Sequence, residues 1–256
     1  MSNIACIIPA RMASSRLPGK PLLELNGLPM ILHILERCRL YEGFSRVVVA
    51  TCDQEIYDAV INHGGEAVMT SDQHERCTDR IEEAINNMSD AFAETEFIVM
   101  VQGDEILVTP DFLAQVVDDY KKSGAPVVNL VSRLYNEDDQ NSPNTVKVVA
   151  SAAGKILYLS RSLIPSPVRG VESPIYQQTG IIGFEKSFLH KFSSLTPTPL
   201  EIAESVDMLR VVEHGLELRC VMTETETLGV DTAEEAVRAA EILAKDPVSK
   251  AYGMGQ

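Results

Sequence analysis

Arg11, Arg16 and Lys20 are the residues whose types and spacing first suggest chemistry. They fall within ten positions, and no acid occurs between Asn3 and Leu23. In a chain of net charge −15 such a cluster is a local exception to the overall field, and it points to a bound anion. Two guanidinium groups offer planar forks and the ammonium a point charge, while Ser14, Ser15 and the loop amides add donors for phosphate oxygens. A solvated basic loop is the plainer alternative, but it gives no reason for excluding acids. Asp104 is the complementary group. It follows the apolar run Phe97 to Val101 in Gln102-Gly103-Asp104-Glu105. A carboxylate at the carboxyl end of a buried strand is placed to hold a cation against phosphates, whereas a lone turn Asp bonds only its own backbone.

Such a site needs strands that end together. Ile4 to Ile8 is short and apolar and is stopped by Pro9, which suits a central parallel strand covered on both faces. Arg46 to Thr51, Glu66 to Met69 and Phe97 to Val101 read as further strands. Leu28 to Arg39, Thr78 to Met88 and Asp111 to Lys122 read as amphipathic helices. Asp53 is a candidate cap for a helix opening near Gln54. From Ala125 the alternation of strand and helix breaks down. Val127 to Ser132, Thr145 to Ala150, Ile156 to Leu159 and Gly180 to Phe184 predict extra antiparallel structure. A helix over Glu201 to Glu213, a strand over Leu218 to Thr223 and a last helix to about Leu243, capped near Asp231-Thr232, complete the pattern. Ligands of open α/β sheets bind beyond the carboxyl ends of the strands, which is where the cations and Asp104 fall.

At 256 residues the chain can bury a full core, read here as one domain over 1–245 with an extension at about 125–190 and a mobile tail over 246–256. A pI near 4.7 argues against nucleic-acid and anionic-membrane partners. No apolar run reaches the roughly 18 residues of a membrane helix. The five cysteines are scattered without a CxxC pair, so neither a disulfide framework nor a zinc site is expected, and a reducing cytoplasm fits best.

The stretch Pro9-Ala10-Arg11 through Ser14, Arg16-Leu17-Pro18-Gly19-Lys20-Pro21-Leu22 fits PARxxSxRLPGKPL. It is neither GxGxxG nor GxxxxGK[ST], which sets aside an NAD-type dehydrogenase. It resembles the signature of the nucleotide-sugar cytidylyltransferases, and most closely the 3-deoxy-manno-octulosonate (KDO) cytidylyltransferase family, over Ile4 to about Leu243. The resemblance implies a Rossmann-like nucleotidyltransferase fold of α/β class, with a mixed, mostly parallel sheet flanked by helices and a small antiparallel extension. It implies transfer of CMP from CTP to the hydroxyl of an acidic 3-deoxy-2-keto sugar, KDO or a variant such as amino-KDO. It further implies release of pyrophosphate, Mg2+ as cofactor, a homodimer and a place in lipopolysaccharide biosynthesis. Alternatives are another acid acceptor and a non-catalytic nucleotide-binding protein.

Carried over by matching positions, the nucleotide-binding set is Pro9, Ala10, Arg11, Ser14, Ser15, Arg16, Lys20, His74, Thr78, Asp79, Arg80 and Gln102. Asp104 and Asp231 would hold magnesium, and catalysis would rest on these two with Arg11 and Lys20. Arg161, Gln178, Asp207 and Met208 fall in the acceptor half, where the chain departs from the pattern. The family's H-x-GIY is Gln178-Thr179-Gly180-Ile181-Ile182 here, and its LEQLR is Val206-Asp207-Met208-Leu209-Arg210. In H-x-S-G-T-[DE]-R the Ser-Gly pair has become Arg76-Cys77. Exchanging Gln for Met removes a donor and an acceptor, which changes which hydroxyls a sugar site accepts.

Overall fold

The computed structural model describes residues 3–13, 16–166, 170 and 173–253. The chain, expected as one domain, divides into two compact units: Met1–Ala114 with Thr227–Gln256, and Gln115–Glu226.

The first unit begins with β1 (Asn3–Ala10), buried from Ile4 onward. A 3₁₀ turn (Lys20–Leu22), the hairpin β2 (Glu24–Leu25) and β3 (Leu28–Pro29), and α1 (Met30–Arg39) follow. Then come β4 (Val47–Thr51), α2 (Gln54–Asn62), β5 (Glu66–Met69), α3 (Cys77–Asn87), β6 (Thr95–Val101) and α4 (Pro110–Ser123), whose residues from Gln115 on belong to the second unit. β6, β1, β4 and β5 lie side by side, all parallel, with Cys6 opposite both Val47 and Val99. Apolar residues fill most of β1, β4 and the end of β6 because helices cover both faces. β1 does not stop at Pro9 as expected. Proline lacks only the donor, and its carbonyl still accepts the Gly103 N–H at 3.2 Å, so the strand continues to Ala10 opposite Thr51.

The second unit contains β7 (Val127–Leu134), α5 (Glu137–Asn141), β8 (Lys147–Ala150), β9 (Ile156–Ser160) and β10 (Ile175–Glu185). It continues through α6 (Lys186–Ser194), α7 (Pro199–Glu204), α8 (Met208–Glu213) and β11 (Arg219–Thr223). β10 runs antiparallel to β7 and β8, β9 antiparallel to β8, and β11 parallel to β7. The unit therefore reaches past the expected 125–190, because β11 belongs to its sheet. The single helix expected over Glu201 to Glu213 is two. Ser205 adopts a left-handed conformation (φ 52°, ψ 48°), and the Arg161 guanidinium takes the carbonyls of Glu204 and Ser205 that a continuing helix would use.

The chain ends with α9 (Ala233–Leu243) and α10 (Pro247–Ala251) in the first unit. Residues 246–253, expected as part of a mobile tail, are tied down. Asp246 caps α10 through Val248 N and Ser249 N and pairs with the buried Arg37 guanidinium of α1, and the Tyr252 hydroxyl lies 2.9 Å from His33 Nδ1. Residues 254–256 of that expectation lie outside the described residues.

Candidate functional site

Lys20 is the centre of the charged cluster. Gly19, at φ 73°, turns the chain into the 3₁₀ turn and so points Lys20 back over the strand ends. Its Nζ donates to Asp104 Oδ2 at 2.9 Å, Asp231 Oδ1 at 2.8 Å and the Val230 carbonyl at 2.9 Å. The second Asp231 oxygen accepts from Arg16 Nη2 at 2.6 Å. Burial disfavours the ammonium, but the two carboxylates outweigh this and hold the Lys20 pKa above its ordinary value.

Backbone lacing brings the two acids together across the sequence. Val230 N donates to the Asp104 carbonyl at 3.2 Å, and Glu105 bridges Gly229. Asp231 is also spared the capping duty expected of it. Thr232 is the N-cap of α9, accepting from Glu235 N at 3.2 Å, while the Glu235 carboxylate takes the Asp231 and Thr232 N–H groups at 2.7 and 2.8 Å. This capping box leaves both Asp231 side-chain oxygens for the cations.

Arg11 is exposed and reaches the His74 carbonyl at 3.3 Å. The His74 ring is hydrogen-bonded to Glu83, whose carboxylate also accepts from Ser71 N at 2.9 Å. Burial opposes the Glu83 charge, yet the Ser71 N–H, His74 and Asn87 hold its pKa below the usual carboxylate range. Thr78 and Arg80 are buried, and Asp79 lies in the first turn of α3. Arg80 Nη1 donates to Thr70 Oγ1 at 2.6 Å and the Ser71 carbonyl at 3.1 Å, so it braces the segment before α3 instead of standing open to a ligand. Pro9 and Ala10 close β1, and Gln102 follows β6, the parallel neighbour of β1, at the same carboxyl end. Ser14 and Ser15 lie outside the described residues.

A cytidylyltransferase family model matches residues 5–238. The chain belongs to the cytidylyltransferase family. It is 38% identical over 247 residues to the 3-deoxy-manno-octulosonate cytidylyltransferase of Bradyrhizobium diazoefficiens, covering 95% of this chain and 98% of that one. With the protein of the same name from Syntrophus aciditrophicus the identity is 39% over 246 residues, covering 95% and 98%. The solved structure of a CMP:2-keto-3-deoxy-manno-octonic acid synthetase complexed with CTP superposes at a TM-score of 0.87 with 34% identity, covering 95% of this chain and 99% of that one.

In this cytidylyltransferase the acceptor-half residues fall in the second unit, where two of them are committed elsewhere. Arg161 gives Nε to the Glu204 carbonyl (2.6 Å), Nη1 to that of Pro143 (2.9 Å) and Nη2 to that of Ser205 (3.3 Å). Met208 is fully buried at the start of α8, so its side chain packs in the core and does not line a surface. Asp207 is half-buried before α8, and Gln178 sits half-buried in β10. An open pocket of about 780 Å³ in this unit is lined by residues such as Arg133, Tyr135, Leu163 and Ile175 and by none of the four.

Sequence reasoning missed two carboxylates that shape these regions, Glu83 and Glu204, and gave a third, Asp53, only the role of a helix cap. Glu204 accepts from Ser160 Oγ and Arg161 N at 2.8 Å each. Burial works against its charge, but these bonds and the Tyr158 hydroxyl keep its pKa below the usual range. Of the two that were missed, only Glu83 carried a signal, through its position one turn after Asp79.

Proposed function

We propose that this cytidylyltransferase transfers CMP from CTP to the hydroxyl of an acidic 3-deoxy-2-keto sugar, KDO or a close variant such as amino-KDO, and releases pyrophosphate. The observation that carries the reading is Lys20 held between Asp104 and Asp231 at the carboxyl ends of parallel strands, with Arg16 on the outer oxygen of Asp231. The likeness in sequence to KDO cytidylyltransferases and to a CTP-bound synthetase supports both substrates.

In the reaction a bond forms between the sugar oxygen and the α-phosphorus of CTP. The bond from that phosphorus to the bridging oxygen breaks, and the hydroxyl proton leaves. Negative charge grows on the phosphoryl oxygens and on the departing pyrophosphate. Arg11, Arg16 and Lys20 are fixed cations suited to meeting that charge, and electrostatic stabilisation of this kind commonly contributes most of the rate enhancement in phosphoryl transfer.

Asp104 and Asp231 are the residues that would hold Mg2+. Their side chains are 26% and 32% exposed and converge on one cation. No group of three metal-ligating side chains occurs among the described residues. A pair of carboxylates suits magnesium, which usually takes one or two from the protein and its other ligands from phosphates and water. The bound ion would neutralise phosphate charge and lower the pKa of the attacking hydroxyl. All five cysteines are free thiols, which supports action in the cytoplasm. There the protein would act as a homodimer supplying lipopolysaccharide synthesis.

The test is pyrophosphate release with each of the four nucleoside triphosphates, with and without magnesium, against a panel of acidic sugars including KDO and amino-KDO. Release is expected with CTP, magnesium and one of these two sugars. Failure of CTP to bind in calorimetry overturns the reading. Release with CTP and only an unrelated acid moves the acceptor and keeps the reaction.

A further inference from the structure

We propose that Asp53 is a positioning residue for the nucleotide loop: its carboxylate fixes Met12, and Met12 fixes both the start and the end of the loop that carries Arg11 and Lys20. The inference rests on the cytidylyl-transfer reading of the same site and adds a residue that the loop signature does not contain.

Asp53 occupies the N-cap position of α2, where an aspartate ordinarily accepts from the helix's own first-turn amides and stabilises it by about 0.5–2 kcal/mol. That bond is absent here. Oδ2 instead accepts the backbone N–H of Met12 at 2.7 Å, across 41 positions of sequence. The Cys52 thiol lies 3.5 Å from the same oxygen, and Asp53's own N–H is satisfied by Thr51 Oγ1 at 3.1 Å. Thus the carboxylate is directed away from its helix and toward the loop.

Met12 is the residue at which such a grip has most effect. Its carbonyl accepts the N–H of Gly19 at 3.2 Å, which closes the loop at its base. A Cβ at Gly19 would lie 3.6 Å from Met12 Cε, so the two ends also pack together. Gly19 leads directly into the turn that presents Lys20, and Arg11 precedes Met12. One bond from β4's end to Met12 therefore holds the chain directly after Arg11 and, through Gly19, directly before Lys20. A neutral acceptor of the same shape would make the same bond, whereas an alanine would leave a loop amide without its partner.

The experiment compares the full-length wild type with Asp53→Ala and Asp53→Asn, reading CTP affinity by calorimetry, kcat and KM for CTP, and melting temperature. Asp53→Ala is expected to weaken CTP binding about tenfold, the loss of one charge-assisted hydrogen bond. Asp53→Asn should restore most of it, with no further change in melting temperature. A second readout is hydrogen exchange at the Met12 amide, which should be protected in the wild type and in Asp53→Asn. Wild-type CTP affinity in Asp53→Ala, an equal loss in Asp53→Asn, or an unprotected Met12 amide would each overturn the proposal. If the wild type itself binds no CTP, the functional reading fails, while the Met12 amide still reports whether Asp53 holds the loop.

Discussion

Lys20 and Lys147 are both withdrawn from water and held by three oxygens, yet their proton affinities move in opposite directions. Lys20 meets two carboxylates and one carbonyl, and its pKa is raised. Lys147, fully buried in β8, meets only the carbonyls of Ser142, Thr145 and Arg161. Burial lowers its pKa, the Arg161 charge adds to that, and Glu204 offsets it only in part. Three dipoles can satisfy an ammonium's donors without neutralising it, while two anions do both. The three-carbonyl arrangement makes a clasp for a loop. The two-carboxylate arrangement makes a partly open cluster of paired opposite charges.

The largest expected effect breaks the charged cluster. Lys20→Met should lower turnover by about 10²–10³, the usual cost of removing one donor aimed at transition-state charge. Circular dichroism should show the fold intact, and turnover near wild type would remove Lys20 from the chemistry. Lys147→Met should do the converse, costing about 3 kcal/mol in urea unfolding because buried carbonyls lose their donor, while CTP affinity holds. A loss of CTP affinity with unchanged stability would erase the distinction.

Alkaline pH sharpens the contrast. Between the ordinary lysine value near 10.5 and its own higher one, Lys20 binds more proton folded than unfolded, so its contribution to stability is complete below that window and is lost as pH rises through it. Between its own lower value and 10.5, Lys147 binds more proton unfolded, so stability gains as pH rises. In urea titrations up to the alkaline limit, Lys20→Met should therefore flatten a fall and Lys147→Met should remove a rise. Identical slopes in the two variants would contradict both assignments. The smallest effect tests the break near the clasp: Ser205→Gly should stabilise by up to about 1 kcal/mol, because glycine adopts φ 52° without the strain a serine carries there. A melting temperature below that of the wild type would show that the serine side chain outweighs its backbone strain.

Much of the first unit was legible in the sequence because burial on both faces leaves short apolar strands bounded by polar residues. Asp104 could be read because a charged residue at the end of such a strand has few structural reasons to be there, and Lys20 because it stands with Arg11 and Arg16 in a stretch without acids. The second unit was harder. Arg161 matched a family segment, but whether a guanidinium faces a ligand or a ring of carbonyls depends on where Pro143 and Ser205 come to lie. The division at Ser205 was hidden because apolar spacing over Glu201 to Glu213 suits one helix as well as two. Asp53 shows the same limit. Its position predicts a cap, and only the partner 41 residues away shows that the carboxylate is used elsewhere.

Gly103 sets the tolerance to which the phosphate side and the carboxylate side are assembled. A Cβ there would lie 2.9 Å from the Pro9 carbonyl oxygen and 3.2 Å from Ala10 Cβ, so no other residue fits unless the ends of β1 and β6 spread apart. Arg11 continues from one of those ends and Asp104 from the other. Any widening would carry directly into the distances between opposite charges. An ångström of misplacement can cost a reaction about 10² in rate. The absence of one methyl group is thus a gauge block between the two halves of the charged site.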